Sequence, residues 1–204
     1  MITAELFCGT KSFSNVARER GHSIFTVDID NSFMPDLCKD ILDVIPSDLP
    51  KDIDVLWASP PCQCFSVASI GCSWHHQNYC PRRSETALGM AYVLKTIELI
   101  RTLKPHYWFI ENPRGLLRKM AFMDGFHRVT VTYCQYGDSR MKPTDIWNNL
   151  LEWIPRQACK NNDPCHEPAP RGSRTGTQAR NSIDRGKVPS QLINEIFDVI
   201  DVVM

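Results

Sequence analysis

Four apolar runs in this chain stop abruptly at polar or turn-forming residues. Residues 2–7 stop at CGT, 23–27 at Asp28, 54–58 at SPPCQ, and 107–110 at ENPRG. Each run is short and rich in β-branched or aromatic residues, as buried strands are. Residues 13–20 form a helical stretch between the first two runs, closed by Gly21. That is strand, turn, helix and strand within about 30 residues, the size of a βαβ unit. Apolar positions at Leu88, Ala91, Leu94, Ile97, Leu99 and Ile100 predict a helix over 84–103, ended by Lys104-Pro105. Residues 128–133 and 144–147 read as a further strand pair. Pro189 opens a last helix with Leu192, Ile193, Ile196, Val199 and Ile200 on one face. The alternation predicts an α/β fold with a mainly parallel sheet and helices on both faces. Ligands bind such sheets beyond the strand carboxyl ends, where the four polar clusters would meet.

A chain of 204 residues suits one domain with a real core. Lys+Arg and Asp+Glu balance at 23 each, so whole-molecule charge selects no polyanion. Charge is less even locally: Arg82 and Arg83 are adjacent, and 171–187 carries Arg171, Arg174, Arg180, Arg185 and Lys187 against Asp184. The nine cysteines are odd in number, and the chain opens on MITAELF without a secretory leader. Reduced thiols in a cytoplasmic setting are therefore expected, not a disulfide framework. No apolar run reaches the roughly 20 residues that span a bilayer.

Cys62 follows Pro60-Pro61, which restricts the backbone ahead of the thiol. Glu111 ends another strand. A thiolate that adds to C6 of a pyrimidine while an acid protonates N3 would make C5 nucleophilic, and these two residue types suit that chemistry. From the residues alone, a turn cysteine and an exposed strand-end glutamate remain the alternative.

The ordered series ELFCGT, VDID, KDI, DVLWASPPCQCFS, FIENPRG and YCQYGDSRMKPTDIW resembles the DNA cytosine-5 methyltransferases over residues 2–147, and the C-terminal helix resembles theirs weakly. The resemblance implies a Rossmann-like, S-adenosylmethionine-dependent methyltransferase fold and methyl transfer to C5 of a flipped-out cytosine in DNA. It implies Cys62 as covalent nucleophile and Glu111 at N3 and the exocyclic amine. Phe7, Gly9 and Pro60 would line the cofactor pocket, with Asp28 on the ribose and Asp40-Ile41 at the adenine. Gln63 and the segment 67–83, with Gly71, Arg82 and Arg83, match a mobile loop closing over DNA. The setting it suggests is a virus, a mobile element or a bacterial restriction-modification system, with cytoplasmic location in a bacterial or phage-infected host.

Four departures qualify these expectations. Lys11 and Ser12 stand where relatives carry glycine. Lys142 and Thr144 stand where arginines are expected, with Arg140 slightly earlier, so Lys142 is a candidate at the base and Arg140 at the DNA. Gly186-Lys187 replaces a common Gly-Asn near the cofactor's methionine. A lysine there would repel a sulfonium unless an anion intervened, which raises a carboxylated S-adenosylmethionine and carboxymethyl transfer as an alternative. Residues 151–187 are too few for a separate recognition domain. Specificity is then relaxed, or a partner or homodimer supplies it, with 170–180 as a DNA strap or a linker.

The expected organisation is a catalytic domain at 1–150, a reduced insert at 151–187, and a C-terminal helix at 188–204 packing back. Rival readings are a non-catalytic DNA-binding protein with the same fold, and C5 chemistry on RNA or a free nucleotide. Cys134, Cys159, Cys165 and His166 could bind zinc tetrahedrally or be ordinary thiols, because CxxC spacing is absent. Cys72, His75, His76 and Cys80 form a weaker set. Cys64 reads as a neighbour of the nucleophile.

Overall fold

The computed structural model describes residues 1–67, 69–75, 77–168 and 182–204. His76 and the strap at 170–180 lie outside the described residues. Seven strands form one sheet: β1 (Ile2–Leu6), β2 (Ser23–Asp28), β3 (Leu37–Cys38), β4 (Val55–Ala58), β5 (Tyr107–Pro113), β6 (Arg128–Thr132) and β7 (Pro143–Asn148). The helices are α1 (Ser12–Glu19), α2 (Ile70–Ser73), α3 (Ser84–Leu103), α4 (Ser182–Gly186) and α5 (Ser190–Val203).

The strand order is β3-β2-β1-β4-β5-β7-β6. The first four pairings are parallel, and β7 runs antiparallel to both β5 and β6. The order reverses between β1 and β4, so the crevice beyond their carboxyl ends is the expected binding site.

Strand periodicity sorts side chains to two faces. Leu56, Ala58, Ile110 and Trp147 join the core under α3, with Val93, Ile97 and Ile100. Val55, Trp57, Phe109 and Ile146 join the opposite core, with Phe13, Val16 and Ala17 of α1 and Leu192, Ile196 and Phe197 of α5. Phe13 stacks between Trp57 at 5.3 Å and Phe197 at 5.2 Å. Helix α5 thus packs back on the first helix, where Arg20 at the end of α1 pairs with Asp198 and Asp201, 178 and 181 residues away in sequence.

Two differences from the sequence expectation bear on the site. Strand β5 does not stop at Ile110. Antiparallel pairing of Glu111 with Ile146, Asn112 with Asp145 and Pro113 with Thr144 carries it three residues further. Strand β3 is two residues long, beyond the reach of any periodicity argument.

Candidate active site

Glu111 sits inside β5, 5% exposed, with β7 beside it. The Tyr133 hydroxyl donates to Glu111 Oε1 at 2.8 Å, and Lys142 Nζ lies 3.9 Å from the same oxygen. Tyr133 and Lys142 bracket the turn between β6 and β7, which Tyr133 N closes by donating to Met141 O at 2.8 Å. Lys142 is 5% exposed, with a left-handed φ of 28°. Its ammonium lies 4.4 Å from the Tyr133 ring centroid and donates to Arg185 O at 2.8 Å. Carboxylate, ring face and carbonyl together compensate a buried cation. Burial pulls the Lys142 ammonium below its ordinary value, and Glu111 opposes that. Burial, then Glu111, pushes the Tyr133 phenol well up.

Cys62 is half-buried on the loop after β4. Burial raises its thiol above the usual value, Glu111 adds to the rise, and Lys142 and Arg185 counter it. The nucleophile candidate therefore feels the charges of both β5 and the β6–β7 turn. Asn112 fixes this loop from below: its Nδ2 donates to Pro60 O at 3.0 Å, and its buried Oδ1 lacks a protein partner. Pro60 is buried under the turn. Leu116 N donates to Phe65 O at 2.8 Å, and a Cβ on Gly115 would meet that oxygen at 2.2 Å. The loops after β4 and β5 thus touch backbone to backbone. A Cβ on Gly89 of α3 would lie 2.4 Å from Cys64 Sγ, so Cys64 packs against that helix. Burial pushes its thiol up to about 11, which fits a packed neighbour rather than a second nucleophile.

The cofactor candidates gather beyond β1 and β2. Asp28 Oδ2 accepts from Gly9 N at 2.8 Å, and Oδ1 accepts from Asp30 N at 2.9 Å. Gly9 has φ 42° and open space where a side chain would be, room that a ligand over the first loop needs. Phe7 meets Tyr92 of α3 edge-on at 6.0 Å, and Asp40 contributes to raising the Tyr92 phenol after burial does. Asp40 Oδ1 caps Leu42 N at 2.9 Å, while Ile41 is a core residue, 4% exposed. An acid beside the open backbone at Gly9, with the Phe7 ring on the same loop, fits the chemistry of S-adenosylmethionine. Lys11 takes the left-handed conformation (φ 57°) at the start of α1, where glycine would be unstrained. Lys187 lies exposed and pairs with Asp184 at 2.8 Å, while Val188 N reaches Ser12 Oγ at 3.2 Å.

The DNA candidates divide. Gln63, Arg82 and Arg83 are exposed beside the Cys62 loop. Arg82 donates to Gly71 O at 2.9 Å. Arg140 is 4% exposed, held by Asp138 and by Asp184 O at 2.9 Å. It braces the β6–β7 turn against α4. The loop expected to be mobile is anchored in this structure by Trp74, fully buried, stacked on Phe65 at 5.5 Å and donating to Cys64 O at 2.6 Å. Cys134, Cys159, Cys165 and His166 come together, and their ligand atoms all lie within 4.8 Å of one another. Among the described residues, Cys72, His75 and Cys80 form no such group.

Sequence reasoning missed four residues. Tyr133 reads as strand, yet its hydroxyl orients Glu111. Asn112 stands in FIENPRG but was given no role of its own, and Arg185 carries no motif. Glu5, 3% exposed, accepts from Phe13 N at 3.3 Å and Ser14 N at 2.9 Å, joining β1 to the start of α1. Its signal was an acid inside an apolar strand, which must find partners.

Strand order, switch-point crevice and strand-end residues define a Rossmann-like methyltransferase domain. The family model for C-5 cytosine-specific DNA methylase matches residues 1–123. A Frog virus 3 (isolate Goorha) protein named "Probable DNA (cytosine-5)-methyltransferase" is 30% identical over 218 residues, covering 98% of this chain and 100% of its own. The chain belongs to the C-5 cytosine-specific DNA methylases. Two solved structures share the fold. An E. coli prophage-encoded DNA modification methyltransferase has TM-score 0.51 and 16% identity, over 72% of this chain and 46% of its own. A substituted Spodoptera frugiperda DNMT2 has TM-score 0.50 and 17% identity, over 82% and 57%. The chain thus spans about half the length of these solved relatives.

Proposed function

We propose that the protein methylates C5 of cytosine in DNA, with Cys62 as nucleophile and Glu111 and Lys142 as its partners at the base. The observation that carries this reading is that Lys142 Nζ lies 3.9 Å from Glu111 Oε1 within β5, and that both charges act on the Cys62 thiol on the loop after the adjacent strand β4. Cys62 gives its proton to solvent and its Sγ bonds to C6; the C5–C6 π pair shifts to C4–C5, and the C4–N3 π pair takes a proton from the Glu111 carboxyl at N3. Tyr133 and Lys142 both engage Oε1 of Glu111, so Oε2 is the oxygen for N3 and the exocyclic amine. When bound, S-adenosylmethionine supplies the methyl group that C5 accepts. The C5 proton then leaves to a base, the C6–Sγ bond breaks, and N3 returns its proton to Glu111, which restores the thiolate and the aromatic ring. No step needs a metal ion.

Asp28, with Gly9, would hold the ribose, and Phe7, Asp40 and Pro60 the surrounding walls. Lys187 finds its counter-charge in Asp184, which favours plain S-adenosylmethionine over a carboxylated form. Gln63, Arg82 and Arg83 would meet the DNA. With 151–187 in place of a recognition domain, sequence choice falls to a short context, a partner or a second copy. No helix among the described residues is long and apolar enough to cross a membrane. The viral and prophage-encoded relatives support a virus or mobile element as the setting.

The test is nucleoside mass spectrometry after incubation with cytosine-containing duplex DNA and S-adenosylmethionine. One added methylene on deoxycytidine, absent with Cys62→Ala, is expected. Modified RNA or free nucleotide with unmodified DNA would replace the substrate, and no product on any of them would favour a binding protein.

A further inference from the structure

Beyond Arg156, the segment that follows β7 has little to hold it. After Trp153, which is 2% exposed, Cys159 is the one buried residue between 154 and 168, and Ile154 is 86% exposed. Yet the chain folds back on the β6–β7 turn. Cys159 N donates to Thr132 Oγ1 at 3.0 Å, and Glu167 N to Ser139 O at 2.8 Å. Arg156 is tied to Gln135 O, Tyr136 and Glu195, but beyond it two backbone hydrogen bonds, one Gln135 Nε2 contact to Cys165 Sγ and one small buried side chain do not offset the entropy of ordering residues 157–168.

Four metal-binding side chains meet where this happens. The Sγ atoms of Cys134 and Cys159 are 3.0 Å apart, and those of Cys165 and Cys134 are 3.6 Å apart. His166 Nδ1 lies 3.7 Å from Cys159 Sγ and 3.5 Å from Cys165 Sγ. A tetrahedral zinc ion with bonds of about 2.3 Å to sulfur and 2.0–2.1 Å to nitrogen separates its ligands by about 3.8 Å for S···S and 3.5 Å for S···N. These four edges lie within about 0.8 Å of those values, and all six fall within 4.8 Å. The closest needs to open by less than an ångström. All four protein positions are filled, as in a structural site.

We propose that Cys134, Cys159, Cys165 and His166 bind one zinc ion that staples the insert to the turn carrying Tyr133. The three thiols lose their protons to solvent as zinc binds, and no redox step is involved. Cys134 follows Tyr133 directly, so the ion fixes the backbone from which Tyr133 reaches Glu111. The inference is independent of which nucleic acid the crevice acts on.

The test is metal content of the full chain purified in reductant without chelator. About one zinc per chain is expected. Cobalt substitution should give the strong visible bands of a tetrahedral thiolate site. Cys165→Ser and His166→Ala disturb an exposed and a half-buried ligand and spare the buried pair. Their double variant should lose the zinc, and with it protection of 154–168 from limited proteolysis. Cys72→Ser should keep both. Folding of each variant is read from far-ultraviolet circular dichroism. Three results overturn the proposal: zinc no higher in the wild type than in the double variant after zinc incubation, zinc retained by the double variant, or a metal-free Cys134–Cys159 disulfide in reductant.

Discussion

At Cys62 two opposing sets of charges meet a half-buried thiol. Burial and Glu111 disfavour the thiolate, and Lys142 and Arg185 favour it, with a net rise above the ordinary 9.0. The free protein therefore holds a thiol at neutral pH, and its alkylation should still be climbing at pH 9. Removing the carboxylate charge with Glu111→Gln should speed Cys62 alkylation severalfold, and Lys142→Met should slow it. Peptide-level mass spectrometry isolates Cys62 from the other cysteines, and equal rates in all three proteins would separate Cys62 from these charges. Lys142→Arg should recover most of the Cys62 reactivity if charge alone matters. Truncating Lys142 also leaves Glu111 buried without its cation, a loss of roughly 3–5 kcal/mol by analogy with broken buried pairs. Glu5 gives a second titration. Burial lifts its carboxyl from 4.5 to about 7 against two helix amides. A raised acid binds protons more readily in the folded state. Its contribution is full below pH 4.5 and is lost as pH rises through about 7, on the order of 3 kcal/mol. Melting temperature should therefore fall between pH 5 and 8, and Glu5→Gln should flatten that fall.

The elements position these residues through two loops in backbone contact. Gly115 admits the Phe65 carbonyl, which a Cβ would meet at 2.2 Å. Gly115→Ala must part the loops after β4 and β5. It should lower kcat at least tenfold and lower Tm as well, because Phe65 and Leu116 at the contact belong to the core. Unchanged kcat would show that the contact does not set the distance between Cys62 and Glu111. This contact also marks how far the sequence was readable. The apolar runs and their polar ends located β1, β2, β4 and the crevice, because burial writes itself as periodicity. The extension of β5 through Glu111 was hidden, because it depends on pairing with β7, far along the chain. Tyr133 was hidden for the same reason: its role comes from the hairpin that turns its hydroxyl to Glu111. Trp74 anchors a loop that its glycine and arginines made look free, since one aromatic in a polar stretch has no period.

Across the whole molecule, DNA binding has to be built without net charge, which is +0. Long-range attraction is then weak, and affinity rests on a few phosphate contacts near the crevice. Among the predicted DNA contacts, Arg82 and Arg83 are exposed beside the Cys62 loop, whereas the Arg140 guanidinium is occupied by Asp138. Each phosphate neutralised on duplex DNA contributes about 0.9 to the slope of log affinity against log salt. Replacing both Arg82 and Arg83 with alanine should therefore reduce that slope by about 1.8. The apparent KM for DNA should rise, most at low salt, while kcat at saturating DNA stays near the wild-type value. The loop itself should survive, because Trp74 holds it through Phe65 and Cys64, and the Arg82 bond to Gly71 O is exposed. A fall in kcat with an unchanged slope would instead make the arginines braces for the Cys62 loop. A slope and KM equal to the wild type would move the phosphate contacts to another face.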